Sequence, residues 1–294
     1  MDVSIVLFGL GVGVLVGTTG MGGGSLMTPL LILIFGVKPV VAVGTDLSYA
    51  AVTKTVGGFR HLVKGRVHRR MAFWLAVGSC PGALTGVYVL GLLRDAYGEG
   101  FDELLLVLIS TALLVTGLLI LLRALALANP REREHLRMTA RHKVAAVALG
   151  LTIGLVLGVT SAGSGTLIAV GLIVGFRLTP HLVVGTDVVH AAVLLWVAAF
   201  AHLVSGNVDL ALAGTILVGS VPGVWIGTNL STRLPADALR PALAIVLVAS
   251  GLALLSKAGV ELPVAVLVGV PLVLAALTFA VHRVRQQPPV GAPR

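Results

Sequence analysis

Two acidic residues stand where the chain is otherwise apolar. Asp46 lies in "VGTDLSYAAV" (Val43–Val52) and Asp187 in "VGTDVVHAAV" (Val184–Val193). A carboxylate at membrane depth is costly and is a functional candidate by default, as a proton carrier, a cation ligand or a brace for the backbone beside it. "GTD" suits bracing, because Thr and Asp side chains accept bonds from exposed N–H groups. Lys54 follows Asp46 by eight residues and so falls on nearly the same helix face. It attracts an anion, neutralises Asp46 or snorkels; the matching position in the second stretch is Leu195. His190, three residues after Asp187, replaces Tyr49 and makes an asymmetric protonatable pair. Asp46, Asp187, Lys54 and His190 are read as coupling or bracing residues.

A second chemistry is written in glycine. "GTTGMGGGSLMTPL" (Gly17–Leu30) interrupts an apolar run, and a matching break follows Gly158. Gly22, Gly23, Gly24 and Ser25 are expected to form a helix-hairpin tip, matched by Gly163, Ser164, Gly165 and Thr166. The arm beginning at such a tip points free N–H groups and a positive partial charge inward, which suits an anion. Thr19 and Thr160 add hydroxyl donors. Irregular backbone at membrane depth requires protein or a watery cavity to satisfy it. The alternative is close helix packing, and the spacing of Gly9, Gly13 and Gly17 fits small-xxx-small packing better than binding. His61 and His202 are read as hydrogen-bonded residues near span ends. Pro81 and Pro222, each two residues after a serine, are read as kinks. No metal-ligand spacing occurs, and the single Cys80 allows neither an intrachain disulfide nor a cysteine cluster.

The elements that position these residues follow from composition. Of 294 residues 57% are hydrophobic and 11% charged, with mean hydropathy +1.04; soluble domains carry about 25% charged residues. Repeated apolar runs near the ~20-residue length of a bilayer span indicate an all-α polytopic membrane protein rather than a β-barrel. The net charge of +9 sits in short connections, with no basic stripe and 5% aromatics, so nucleic acid is not an expected partner. The N-terminus carries Asp2 and no basic leader, and is read as a retained first membrane segment.

An internal repeat organises the chain. Gly44 recurs as Gly185, and the same offset of 141 relates Gly9, Gly13 and Gly17 to Gly150, Gly154 and Gly158, and "VGSCPGALTG" (Val77–Gly86) to "VGSVPGVWIG" (Val218–Gly227). Each half reads as a broken segment plus three spans. The expected divisions are residues 1–128 for the first repeat, 129–143 for a basic cytoplasmic linker, 144–258 for the second repeat, 259–282 for an extra span and 283–294 for a disordered cytoplasmic tail. "RHLVKGRVHRR" (Arg60–Arg70) is basic and is expected inside, whereas its counterpart "HLVSGNVD" (His202–Asp209) has no Lys or Arg and is expected outside. The halves therefore run oppositely, an inverted-topology duplication. Crossing parity then makes each glycine break either a re-entrant hairpin or two full crossings. The second piece, about 11 residues at 1.5 Å each, reaches about half way through a ~30 Å core, which favours the hairpin.

The stretches "GTTGMGGGSLMTPLLILIFGVKPVVAVGTDLSYAAV" and "GVTSAGSGTLIAVGLIVGFRLTPHLVVGTDVVHAAV" resemble the two repeats of the TauE/SafE sulfite exporter family. The resemblance implies a transporter of small sulfur-containing anions, sulfite or organosulfonates, often outward, and leaves the substrate open. The expected function is a secondary transporter exporting such an oxyanion with proton coupling; a passive anion channel or a carrier of another small anion is the alternative. An intramembrane aspartyl protease is disfavoured, because Gly44–Thr45–Asp46 lacks the second glycine of "GxGD" and no "YD" pair occurs. No cofactor is expected. The expected partners are a small anion and the lipid bilayer, and the expected site is the bacterial cytoplasmic membrane.

Overall fold

The computed structural model describes residues 3–19, 24–126, 138–231 and 236–286. They form eleven α-helices: α1 (Val3–Thr19), α2 (Gly24–Ile34), α3 (Pro39–Val63), α4 (Arg69–Tyr97), α5 (Phe101–Ala126), α6 (Ala140–Thr160), α7 (Ser164–Val174), α8 (Pro180–Val204), α9 (Leu210–Ser231), α10 (Ala236–Lys257) and α11 (Val264–Gln286). Five stretches among the described residues are long and apolar enough to cross a membrane: Arg69–Arg123, Ala140–Thr160, His181–Val204, Leu210–Leu230 and Val264–Val281. Their outward faces carry large apolar side chains such as Phe73, Leu84, Trp225 and Phe279, as a lipid-facing surface requires. Helix α11 continues to Gln286, past the expected start of the tail, and 287–294 lie outside the described residues.

The second expected break interrupts a helix, between Thr160 and Ser164, while residues 20–23 of the first lie outside the described residues. Helix α2 and helix α7 have 11 residues each, half a bilayer in reach. Their far ends turn through left-handed residues at matching places, Gly36 and Arg177. Lys257 donates to the Ile32 carbonyl at 2.8 Å, satisfying a backbone acceptor near the end of α2.

Glycines decide the packing, and they do so across the halves. A Cβ on Gly9, Gly13 or Gly17 of α1 would meet the carbonyls of Ile216, Ser220 and Val224 on α9. One on Gly150, Gly154 or Gly158 of α6 would meet those of Leu75, Ser79 and Ala83 on α4. The facing glycines interlock equally: Gly78, Gly82 and Gly86 rest on α6, and Gly219, Gly223 and Gly227 on α1. The packing reading of Gly9, Gly13 and Gly17 therefore describes the molecule, and every contact recurs at the sequence offset of 141. Between lipid-surrounded helices this close approach supplies the dispersion and backbone contacts that a hydrophobic effect cannot.

Helices α5 and α10 form a further pair in a different register. Gly117 rests on the Ala244 carbonyl and Gly251 on the Ser110 carbonyl, an offset of 134. "VTGLLILLR" (Val115–Arg123) then aligns with "ASGLALLSK" (Ala249–Lys257). Helix α4 has 29 residues and α9 has 22, so the constant offset is lost before these helices.

Candidate functional site

The second break shows how the polar residues are assembled. Helix α6 ends at Thr160, Ser161 takes a left-handed conformation (φ 58°), Gly163 another (φ 87°), and α7 starts at Ser164 without a side-chain cap. Thr160 Oγ1 donates to the Val156 carbonyl at 2.8 Å and accepts from the Ala162 N–H at 3.3 Å, tying the break to its own helix. The Gly163 N–H donates to Ser25 Oγ at 3.2 Å, so the first turn of α2 meets the start of α7. The contact brings together one described residue of each expected tip, Ser25 and Gly163. Gly165 and Thr166 lie in the first turn of α7, and Gly24 opens α2. Gly22 and Gly23 lie outside the described residues, as do the side chains of Thr19 and Ser164.

Asp46 is fully buried on α3 and faces this break. Its Oδ2 accepts from Thr28 Oγ1 at 2.6 Å and from Ser161 Oγ at 2.7 Å, while Oδ1 has no hydrogen-bond partner. Asp187 has a different neighbourhood. Its Oδ2 lies 3.5 Å from Lys54 Nζ, both side chains are buried, and Oδ1 is again unpartnered. The reason is in the pairing of sequences: the position matching Thr28 is Ala169 and that matching Ser161 is Gly20, while the one matching Lys54 is Leu195. One carboxylate is held by hydroxyls, the other by a cation. Lys54 thus reaches the second aspartate instead of the one on its own helix, because α3 packs against α8. His190 turns to Ser79, with Nε2 2.7 Å from Oγ and Nδ1 unpartnered.

The rest of each "GTD" has a structural task. Gly44 lets the Asn207 carbonyl approach and Gly185 lets in that of Arg66. Thr45 Oγ1 accepts from the Asp209 N–H and Thr186 Oγ1 from the His68 N–H, both at 3.0 Å. Asp209 and His68 in turn cap α9 and α4, accepting from Leu212 N–H at 2.9 Å and Met71 N–H at 3.1 Å. Glycine and threonine brace, which leaves both aspartates without a load from the loops.

The profile described as sulfite exporter TauE/SafE matches residues 5–254. This chain belongs to the TauE/SafE sulfite exporter family. It is 37% identical over 256 residues to the probable membrane transporter protein YjnA of Bacillus subtilis (strain 168), covering 87% of this chain and all of that one. It is 33% identical over 245 residues to a probable membrane transporter protein of Xylella fastidiosa (strain Temecula1 / ATCC 700964), covering 79% of this chain and 87% of the other. No solved structure matches the chain significantly. The protein is an integral membrane transporter of the TauE/SafE family, and family and relatives point away from an enzyme.

Within this TauE/SafE chain one further polar chain runs beside the second break. Arg94 Nη2 donates to Asn207 Oδ1 at 2.8 Å, Asn207 Nδ2 lies 3.5 Å from His202 Nδ1, and His202 Nε2 lies 2.8 Å from the Gly158 carbonyl. His202 is hydrogen-bonded, as its sequence suggests, but fully buried instead of interfacial. Its counterpart His61 has a buried Nδ1 with no partner. Thr28 and Ser161, which bond Asp46, and Ser79, which meets His190, escape sequence reading. Only Thr28 leaves a trace, one helical turn after Ser25.

Proposed function

We propose that this transporter is a secondary carrier of a small sulfur-containing oxyanion, sulfite or an organosulfonate, exported with proton coupling from the bacterial cytoplasm. The observation that carries the reading is the uncapped start of α7, set behind the buried Gly163 between Ser25 of the first half and the Ser161–Asp46 bond. Free N–H groups and hydroxyls attract an oxyanion without a lysine in the pocket. A carboxylate with one unpartnered oxygen at the same place offers a seat for a proton. The glycine contacts that recur between the halves, with the opposed loop charges, support an inverted-topology carrier whose two broken helices meet at the substrate.

Proteoliposomes loaded with sulfite, sulfate or methanesulfonate test this. Efflux of at least one sulfur oxyanion, accelerated by an imposed proton gradient and able to run against the anion's own gradient, is the expected result. Movement of none overturns the substrate assignment, and flux only down the gradient makes the protein a channel. Asp46→Asn is expected to uncouple: downhill flux persists within about threefold while proton-driven accumulation is lost, since the amide cannot carry the proton. Unchanged accumulation removes Asp46 from coupling.

A further inference from the structure

Helix α5 contributes a residue to the second break that its sequence does not mark. Three hydroxyl residues lie along it. Ser110 and Thr111 donate to carbonyls four residues back, Leu106 at 2.6 Å and Val107 at 2.8 Å, the ordinary fate of a hydroxyl inside an apolar helix. Thr116 does not. It is 1% exposed, and its Oγ1 has no hydrogen-bond partner. That oxygen lies 2.6 Å from where a Cβ on Gly163 would stand, so it looks directly onto the residue that opens α7. An unsatisfied buried hydroxyl costs about 1–3 kcal/mol, so its persistence beside an uncapped helix start calls for a ligand.

We infer that Thr116 is a substrate-contacting, specificity-determining residue: its hydroxyl and the free N–H groups of Ser164, Gly165 and Thr166 together hold a small, singly charged oxyanion. This rests on the anion reading of the preceding section and adds its third wall and its charge class. Helix α7 has 11 residues, and its first N–H groups have no intrahelical acceptor. They approach from one side, Thr116 from α5 and Ser25 from α2. The glycine at 163 serves two needs here, since it takes φ 87° and leaves the space in front of Thr116 empty.

The charge class follows from what else touches the break. All the donors are neutral, and among the described residues the one charged side chain bonded to it is the carboxylate of Asp46, through Ser161. A dianion would bring two negative charges beside that carboxylate with only dipoles to hold them, which low-dielectric surroundings penalise steeply. A monoanion is matched by one helix start and two or three hydroxyl groups. An acidic O–H on the anion also finds an acceptor in Asp46 Oδ1, the oxygen left without a partner. The internal repeat supports a role beyond packing: Thr116–Gly117 aligns with Ser250–Gly251 on α10, where the hydroxyl is again buried.

The test is binding to the purified full-length protein, with methanesulfonate as the monoanion probe and sulfate as the dianion probe, read by calorimetry and by anion-dependent thermal shift. Wild type is expected to bind methanesulfonate more tightly than sulfate. Thr116→Val, which keeps the shape and removes the hydroxyl, is expected to weaken methanesulfonate about tenfold or more, the effect of one lost bond to a charged group. Its ligand-free unfolding midpoint is expected to stay at or above that of wild type, because no protein partner is lost. Thr116→Ser is expected to restore affinity to within about threefold of wild type, as one retained bond requires. Valine and wild type binding equally overturns the role of Thr116 and leaves the anion reading standing. Tighter binding of sulfate than of methanesulfonate overturns the charge class. Binding of neither probe by wild type overturns this inference together with the reading beneath it. A fall in the ligand-free midpoint of the valine variant that serine repairs, with methanesulfonate affinity unchanged, assigns Thr116 to packing and overturns the proposal.

Discussion

Lys54→Leu is expected to abolish most folded protein, and adding Asp187→Asn to it is expected to bring the protein back. Leucine is what the repeat already carries at the matching position 195, so shape is not the obstacle. The obstacle is charge. Lys54 and Asp187 form the one salt bridge found among the described residues, at 3.5 Å, with both side chains about nine-tenths buried. Removing one partner leaves the other charge stranded at membrane depth, at a cost of about 3–5 kcal/mol, whereas replacing both by neutral groups is often harmless. Domain stabilities are about 5–15 kcal/mol in total, so the single variant loses a large share. Fluorescence-detected size-exclusion profiles after graded heating of all four proteins close the cycle. A single variant as stable as the double shows that the pair bears no load. If the double variant folds, its transport then separates bracing from coupling: the pair braces if flux and proton dependence survive, and couples if the proton dependence alone disappears.

The sequence shows which positions matter more readily than which ones meet. Spans and breaks are legible because apolar runs end at glycine, proline and charge, and the observed helices begin and end within a few residues of them. The glycine faces are legible because the offset repeats them. Asp46 and Asp187 stand out by depth alone. Their partners do not, since Thr28 is 18 residues from Asp46, Ser161 is 115 away, and Lys54 is 133 from Asp187. Spacing along one helix sees only neighbours on that helix, which is why Lys54 reads as a partner for Asp46. The α3–α8 contact decides otherwise. Thr116 is invisible for another reason: a threonine in a membrane helix ordinarily bonds its own backbone, and only the missing bond distinguishes it. The shift of α5 against α10 by seven residues hides its alignment with Ser250 as well.

Gly154→Val is expected to be as damaging as Lys54→Leu, through sterics alone. A Cβ on Gly154 falls on the carbonyl, C and Cα of Ser79, all main chain, so no rotamer change on α4 can make room. Helices α6 and α4 must part along their length. Gly150, Gly158, Gly78, Gly82 and Gly86 all use the same close approach, so one added side chain forfeits contacts at five other places. Overpacking in a core costs about 1–3 kcal/mol where neighbours can shift; here the neighbours are two helix backbones. Gly214→Val on α9 is the control, because a Cβ there meets nothing within 4 Å. The control is expected to give a monodisperse, wild-type yield, and Gly154→Val to aggregate. Equal yields would mean that the α4–α6 contact is not what holds the halves together. Gly154→Ala reports on function, because α6 ends in Thr160 and the break that carries Ser161 and Gly163. Any parting of α6 from α4 therefore moves the start of α7 away from Thr116 and Asp46. A folded alanine variant is expected to lose anion affinity although residue 154 touches none of the proposed ligands, which ties the packing glycines to the site they position.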